Sequence, residues 1–109
     1  MSHFLFIESL DPLEDRGVDA YLSTALDLCK QQQTVTVFFV ENGANAVREG
    51  AKVPLRDQLR EAGAALKVDE FALRERGIAA GSLAAGVETG SVETIVDLLA
   101  EPDTKAVWH

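Results

Sequence analysis

The chain carries one thiol, and this thiol is its only candidate for sulfur-based nucleophilic chemistry. Cys29 lies four residues after Ala25, on the apolar stripe of a predicted helix. A cysteine reacts or carries sulfur as an accessible thiolate with a lowered pKa, whereas a cysteine among apolar residues behaves as a small hydrophobic side chain with a raised pKa. We therefore predict that Cys29 is a core residue, and we keep it as the one candidate catalytic group.

A second group of candidates consists of polar residues that follow predicted strands. In an open parallel sheet, ligands bind beyond the carboxyl ends of the strands, and helix N-termini at that edge favour an anionic ligand group. The residues at these positions form the predicted ligand-binding set, which contains Ser9, Glu41, Asn42, Gly43, Asp69 and Glu70. The alternative is that Asn42 and Asp69 are only helix caps and that Gly43 is a turn residue.

Charged residues in the same region offer two further arrangements. Glu41 and Glu70 would form an acid–base pair if they faced each other, although solvated charges at strand ends are the more common outcome. Arg74 and Arg76 lie on different faces of a predicted helix, so at most one of them turns inward. We add Arg76 to the predicted set, where it would hold an anion or a carboxylate of a neighbouring subunit. The alternative is a solvated helix in which Glu75 lies between the two arginines.

Composition and charge exclude several classes of function. The formal net charge is −8 and the chain has one cysteine, so neither a basic surface for nucleic acid nor a cysteine-based zinc site is expected. No apolar run approaches the roughly 20 residues that span a bilayer, and Glu8 interrupts the apolar N-terminal run before a signal sequence would end. We expect no metal, no cofactor, no nucleic acid and no membrane partner, and a cytoplasmic location.

The aromatic and imidazole side chains near the chain ends give weaker signals. His3 and His109 are expected to be exposed and without a role. Trp108 follows Val107 in a terminal apolar segment. A large aromatic side chain at this place belongs either to the core or to a contact between subunits, and we expect Trp108 to lie at a subunit interface.

Strand and helix patterns alternate along the chain and predict one α/β domain over residues 1–109. Apolar runs at 3–9, 34–41 and 64–68, a weak segment near Val87 and the terminal "KAVWH" are the predicted strands. The predicted helices share an amphipathic pattern or a capping residue, and the first four cover about 15–31, 42–50, 54–62 and 69–77. A fifth helix is predicted to begin after Ser91. Its predicted inner face consists of Val92, Ile95, Val96 and Leu99. The fold class is a three-layer sandwich with a mostly parallel five-stranded sheet flanked by helices on both faces.

Four segments in order, "TVTVFFVENGANAVREGA", "LREAGAALKV", "FALRERGI" and "GVETGSVETIVDLLAEPDTKAVWH", resemble the DsrE/DsrF/DsrH superfamily of small sulfur-relay proteins. The resemblance covers nearly the whole chain. It implies a small α/β domain that assembles into trimers or hexamers, a sulfur-relay protein as partner and, in active members, a cysteine that carries a persulfide.

The segment that resembles the family's active site lacks the nucleophile. Matched on Arg76 and Gly77, the cysteine of DsrE-like members is expected at or near Asp69. A carboxylate cannot carry sulfane sulfur and repels an incoming thiolate, which excludes sulfur transfer through Asp69.

Three hypotheses remain, and we favour the first. The chain is a non-catalytic binding or scaffolding subunit associated with intracellular sulfur metabolism; or it is a sulfur carrier that uses a reachable Cys29; or it is a small-molecule-binding protein that uses a strand-end pocket with Asn42, Asp69 and Glu70.

Overall fold

An entirely parallel five-stranded sheet forms the middle layer of the protein, whose computed structural model describes residues 2–109. In chain order the strands are β1 (His3–Glu8), β2 (Thr34–Phe39), β3 (Ala65–Asp69), β4 (Val87–Gly90) and β5 (Thr104–Trp108). Their order across the sheet is β4-β3-β2-β1-β5, so the chain starts near one edge, runs to the other and returns. The predicted fold class is confirmed, including the weak fourth strand.

The helices pack on both faces of this sheet. They are α1 (Gly17–Lys30), α2 (Pro54–Glu61), α3 (Glu70–Glu75) and α4 (Val92–Ala100). Two short 3₁₀ helices span Glu41–Val47 and Ala80–Ser82. Across residues 2–109, no helix combines the length and the apolar character needed to cross a bilayer.

The segment after β2 differs from its prediction. It is a 3₁₀ helix that ends at Val47, not a helix capped by Asn42 and stopped at Gly50. The Gly43 N–H donates hydrogen bonds to the carbonyl oxygens of Ser9 and Val40, at 3.2 and 2.8 Å. These bonds tighten the turn against the end of β1, which disfavours the wider α-helical turn.

The two faces of the sheet are covered unequally. The larger core lies between the sheet and α1, α2 and α3. The opposite core is small, with Leu5, Ile7, Phe38 and Val40 of the sheet layer covered by Ile95 of α4. One nine-residue helix, α4, therefore supplies the helical side of this smaller core.

The predicted inner face of α4 is wrong for three of its four residues. Ile95 is buried, but Val92, Val96 and Leu99 are 61%, 55% and 48% exposed. The reason is the position of α4, which packs chiefly against the edge strand β5. An edge strand offers too narrow a surface to bury a full helical stripe, so apolar side chains on both flanks of Ile95 stay open to solvent.

Gly43 lies where the backbone after β2 passes close to the end of β1. A β-carbon at this position would overlap the main-chain carbonyl oxygen of Glu8, which belongs to a central strand and cannot move aside. The glycine is needed for this close approach rather than for a turn with positive φ.

We predict that Gly43→Ala lowers the free energy of unfolding by about 1–3 kcal/mol, because the added methyl group overpacks against rigid backbone. Gly81→Ala is the control, since a β-carbon at Gly81 meets no atom within 4 Å; its effect should stay within about 0.5 kcal/mol. Urea denaturation measures both variants, and a Gly43→Ala protein as stable as the wild type would contradict the packing described.

Candidate functional site

A cavity of about 370 Å³ opens beside the carboxyl ends of β2 and β3. Its walls come from the strand ends, α3, α4 and the end of β5, and they consist of Val40, Glu41, Asp69, Phe71, Ala72, Glu75, Val92, Ile95 and Trp108. The volume falls in the range of about 300–1,000 Å³ typical of small-molecule sites. Two members of the predicted ligand-binding set, Glu41 and Asp69, are thus brought together in one concave site.

A second depression, of about 540 Å³, lies around the first turns of α2 and the loop before it. Its one buried charged side chain is Arg56, whose guanidinium donates to the Ala46 carbonyl at 2.7 Å and to an Asp57 oxygen at 3.1 Å. The Arg56 charge is therefore engaged with the protein itself. We take the smaller cavity at the strand ends as the candidate site.

Asp69 has two roles in this cavity. As the N-cap of α3, its Oδ1 accepts a hydrogen bond from the Phe71 N–H at 3.3 Å, as the capping prediction requires. The residue is only 7% exposed, yet its Oδ2 has no hydrogen-bond partner among residues 2–109. This oxygen remains accessible, since among the described residues only Thr104 Oγ1 is both buried and without a partner, so Asp69 Oδ2 is open to a donor that enters the cavity.

Glu41 contributes the second carboxylate and an unusual backbone. Its φ is +48°, in the left-handed region that residues other than glycine rarely adopt. Such a conformation costs on the order of 1–3 kcal/mol and tends to occur at functional sites. With Glu75, the cavity has three acidic wall residues and no basic one among its nine, which opposes the predicted preference for an anionic ligand group.

The remaining predicted residues of this region lie outside the cavity walls. Arg76 donates to Asn42 Oδ1 at 2.7 Å and to the Ala72 carbonyl at 3.3 Å, so Asn42 joins the 3₁₀ helix to α3 instead of capping a helix. Glu70 is exposed in the first turn of α3 and forms no hydrogen bond with Glu41 within the described chain. The structure gives these two glutamates no shared environment.

The end of β1 holds a second polar cluster, built on Glu8. Its side chain is fully buried, and both carboxylate oxygens contact His109 Nδ1, at 2.9 and 3.0 Å. Burial raises the pKa of the Glu8 carboxyl, although the hydrogen bond from His109 opposes the shift. Ser9, another predicted site residue, donates its hydroxyl hydrogen to the His109 main-chain oxygen at 2.7 Å.

Tyr21 of α1 completes this cluster. Its ring stacks on the His109 imidazole, with centroids 4.8 Å apart, and its hydroxyl group donates to the main-chain oxygens of Ile7 and Val107. Burial, with a smaller effect of the Glu8 charge, raises the pKa of Tyr21 above its ordinary range. The cluster ties the ends of β1 and β5 to α1.

The structure corrects the expectation that both histidines are exposed and without a role. The His109 side chain is only 28% exposed and is bound to Glu8. The His3 side chain is 20% exposed, and its Nε2 is hydrogen-bonded to Thr36 Oγ1 at 2.7 Å. The sequence contained a sign that Glu8 needs a buried partner. Glu8 lies two residues after Phe6 in a strand, so it points to the same buried face and requires a partner there.

Cys29 lies in the larger core, 8% exposed, on the inner stripe of α1. Burial raises the pKa of its thiol. Both features oppose the accessible thiolate that sulfur transfer needs. Over residues 2–109, no group of three or more His, Cys, Asp or Glu side chains is arranged to hold a metal ion.

We predict that Glu8→Gln changes how stability depends on pH. A raised pKa means that the folded protein binds this proton more tightly than the unfolded chain, whose Glu8 titrates near 4.5. The stabilisation is therefore complete below pH 4.5 and is lost as pH rises through the pKa of the folded state. Relative to Glu8→Gln, the wild type should lose free energy of unfolding as pH rises above 4.5 through the raised pKa of Glu8 in the folded state.

Urea denaturation at several pH values measures this difference. Glu88→Gln, at an exposed position of β4, is the matched control and should follow the wild type at every pH. A difference between wild type and Glu8→Gln that stays constant with pH would contradict the assignment.

Comparison with known proteins finds similarity at the level of structure alone. No family model matches the chain, and no curated protein matches it by sequence. Among solved structures, the YchN protein from E. coli is similar, with a TM-score of 0.90 and 18% identity over 100% of both chains. MTH1491 of Methanobacterium thermoautotrophicum, a protein of unknown function, is similar with a TM-score of 0.88 and 20% identity, again over 100% of both chains. At these identities the likeness shows that the chain shares the fold of YchN and MTH1491 over its whole length.

Proposed function

We propose that the chain is a DsrE-like binding or scaffolding subunit that lacks a persulfide-carrying cysteine and acts in intracellular sulfur metabolism, in the cytoplasm. The observation that carries this proposal is the chemistry at Asp69. The family resemblance puts the reactive cysteine at or near this position, and here a buried carboxylate lines an open strand-end cavity. The cavity could therefore hold a ligand, although it contains no cysteine that could carry a persulfide.

The surroundings of Asp69 support binding rather than sulfur transfer. Glu41 and Glu75 share the cavity with it, and three carboxylates disfavour the approach of an anionic thiolate or persulfide. The alternative carrier, Cys29, lies on the core side of α1, where a donor protein has no direct access to the sulfur.

Assembly with copies of the same chain is the second part of the proposal. Apolar side chains outside the cavity walls are exposed along α4 and the edge strand β5: Val96, Leu99 and Val107. Exposed apolar side chains on two contacting elements favour a protein contact, and an edge strand left open invites pairing. The family resemblance implies a trimer or hexamer, with a sulfur-relay protein as a further partner.

The first test is exposure of the purified protein to polysulfide or a persulfide donor, followed by intact-mass measurement. We predict no mass increase of about 32 Da in the wild type, because the only thiol is buried. Protein unfolded in urea is the positive control, since its thiol is accessible. An adduct on the folded wild type that is lost in Cys29→Ser would overturn the proposal in favour of a sulfur carrier.

The second test concerns assembly. The double variant Val96→Ser and Leu99→Ser removes two exposed apolar side chains of α4 that lie outside the cavity walls. We predict that it shifts the protein towards smaller species in sedimentation-velocity runs. Leu13→Ser, which alters an apolar side chain that is 79% exposed elsewhere, should leave the assembly unchanged. A wild type that sediments as a monomer at all concentrations would refute self-assembly.

A further inference from the structure

We propose that the strand-end cavity binds an organic cation, in which an amine, amidinium or guanidinium group is joined to an apolar body. This inference rests on the proposed binding function and names the class of ligand. Its cationic group would meet the free oxygen of Asp69, and its apolar part would lie between Phe71 and Trp108.

The Asp69 carboxylate supplies the polar anchor. One oxygen is held by the Phe71 N–H, and the cap bond fixes the orientation of the whole group. The other oxygen has no partner in the described chain, although the residue is more than nine-tenths buried. A charged donor is the partner that compensates a buried carboxylate best, because charge-assisted hydrogen bonds are about twice as strong as neutral ones.

The aromatic walls supply the apolar contact. Phe71 and Trp108 are 54% and 65% exposed, so the cavity walls present a large aromatic surface to an entering ligand. Aromatic faces also attract cations, and Trp most strongly. The chain itself gives an example, because the Arg74 guanidinium lies over the Phe71 ring, 5.8 Å from its centroid.

The charge of the cavity selects among ligands of similar shape. Glu41 and Glu75 add two carboxylates to that of Asp69, and none of the nine wall residues is basic. Beside the walls, Arg76 lies 3.9 Å from the exposed Glu75 carboxylate and Arg74 lies over the Phe71 ring, so Glu75 is partly compensated. Asp69 and Glu41 have no ion-pair partner in the described chain, so these two carboxylates favour a cation over an anion in the cavity. The left-handed backbone of Glu41 places this charge at a conformational cost, as preorganised sites often do.

Trp108 provides a direct measurement, because it is the only tryptophan of the chain and it lies in the cavity wall. The intact protein is titrated with three probes of similar size, which are the cation phenethylamine, neutral 2-phenylethanol and anionic 3-phenylpropionate. We predict a saturable change in Trp108 fluorescence with phenethylamine. The neutral probe should bind at least about tenfold more weakly, and the anion weaker still.

Two variants localise the charge effect. Asp69→Asn keeps the cap of α3, because Asn caps helices as well as Asp does, but it removes the charge. It should weaken phenethylamine binding about tenfold, towards the affinity of the neutral probe. Glu70→Gln removes one charge from the exposed neighbouring position outside the cavity walls and should leave the affinity unchanged.

Equal affinities for the three probes, or an Asp69→Asn protein that binds phenethylamine as the wild type does, would overturn the inference. Tight binding of the anionic probe would also overturn it, while leaving a binding function in place. A persulfide on Cys29 would instead overturn the proposed function and leave the charge preference of the cavity intact. The failures of the two proposals are therefore distinguishable.

Discussion

The buried carboxylate of Glu8 is the constraint on which the rest of the structure depends. It lies at the end of a central strand with no exposed surface, where an uncompensated charge would be costly. The structure compensates it with His109, about one hundred residues away along the chain, and with the Leu10 N–H. Because His109 directly follows β5, this contact anchors the end of that strand beside β1. The position of Trp108, and therefore one wall of the cavity, depends on it.

The carboxyl end of β1 also restricts the backbone conformation of the segment that follows β2. The Glu8 carbonyl accepts from the Val40 N–H at 2.9 Å, and the backbone then passes so close to it that only glycine fits at position 43. This tight passage precludes a regular helix after β2 and leaves Glu41 at the mouth of the cavity. Glu41 and Asp69 thereby reach one site from two neighbouring strands. Since Asp69 also caps α3, its carboxylate is held in a fixed orientation.

Most of the fold could be predicted from the sequence, because β1, β2 and β3 are short, largely apolar runs and most helices have a clear stripe or cap, whereas β4, VETG, gave only a weak signal. Pro54 at the start of α2 and Asp69 as the cap of α3 act locally, so local patterns identified them correctly. The prediction of the inner face of α4 was wrong because it depends on information that local patterns lack. Helical spacing identifies a stripe, but the width of the surface beneath it depends on the order of the strands, which local patterns do not contain.

The candidate site was predictable in part. Strand-end position identified Glu41 and Asp69, because parallel strands bring their carboxyl ends to one edge. Phe71, Val92 and Trp108 were missed as site residues because apolar side chains are ordinarily assigned to a core or an interface, and their common position depends on how α3, α4 and β5 pack. The Glu8–His109 contact was missed because its partners lie at opposite ends of the chain.

The central claim is that the Asp69 cavity is the binding site of this protein and that it selects cations. Mapping of backbone amide chemical shifts with phenethylamine tests it most directly, since the map locates the ligand without relying on any one side chain. The account predicts that the shifted amides cluster after β2, at the start of α3 and at the end of β5 around Trp108. Shifts that cluster instead at the depression before α2, or that scatter over the acidic surface, would contradict it.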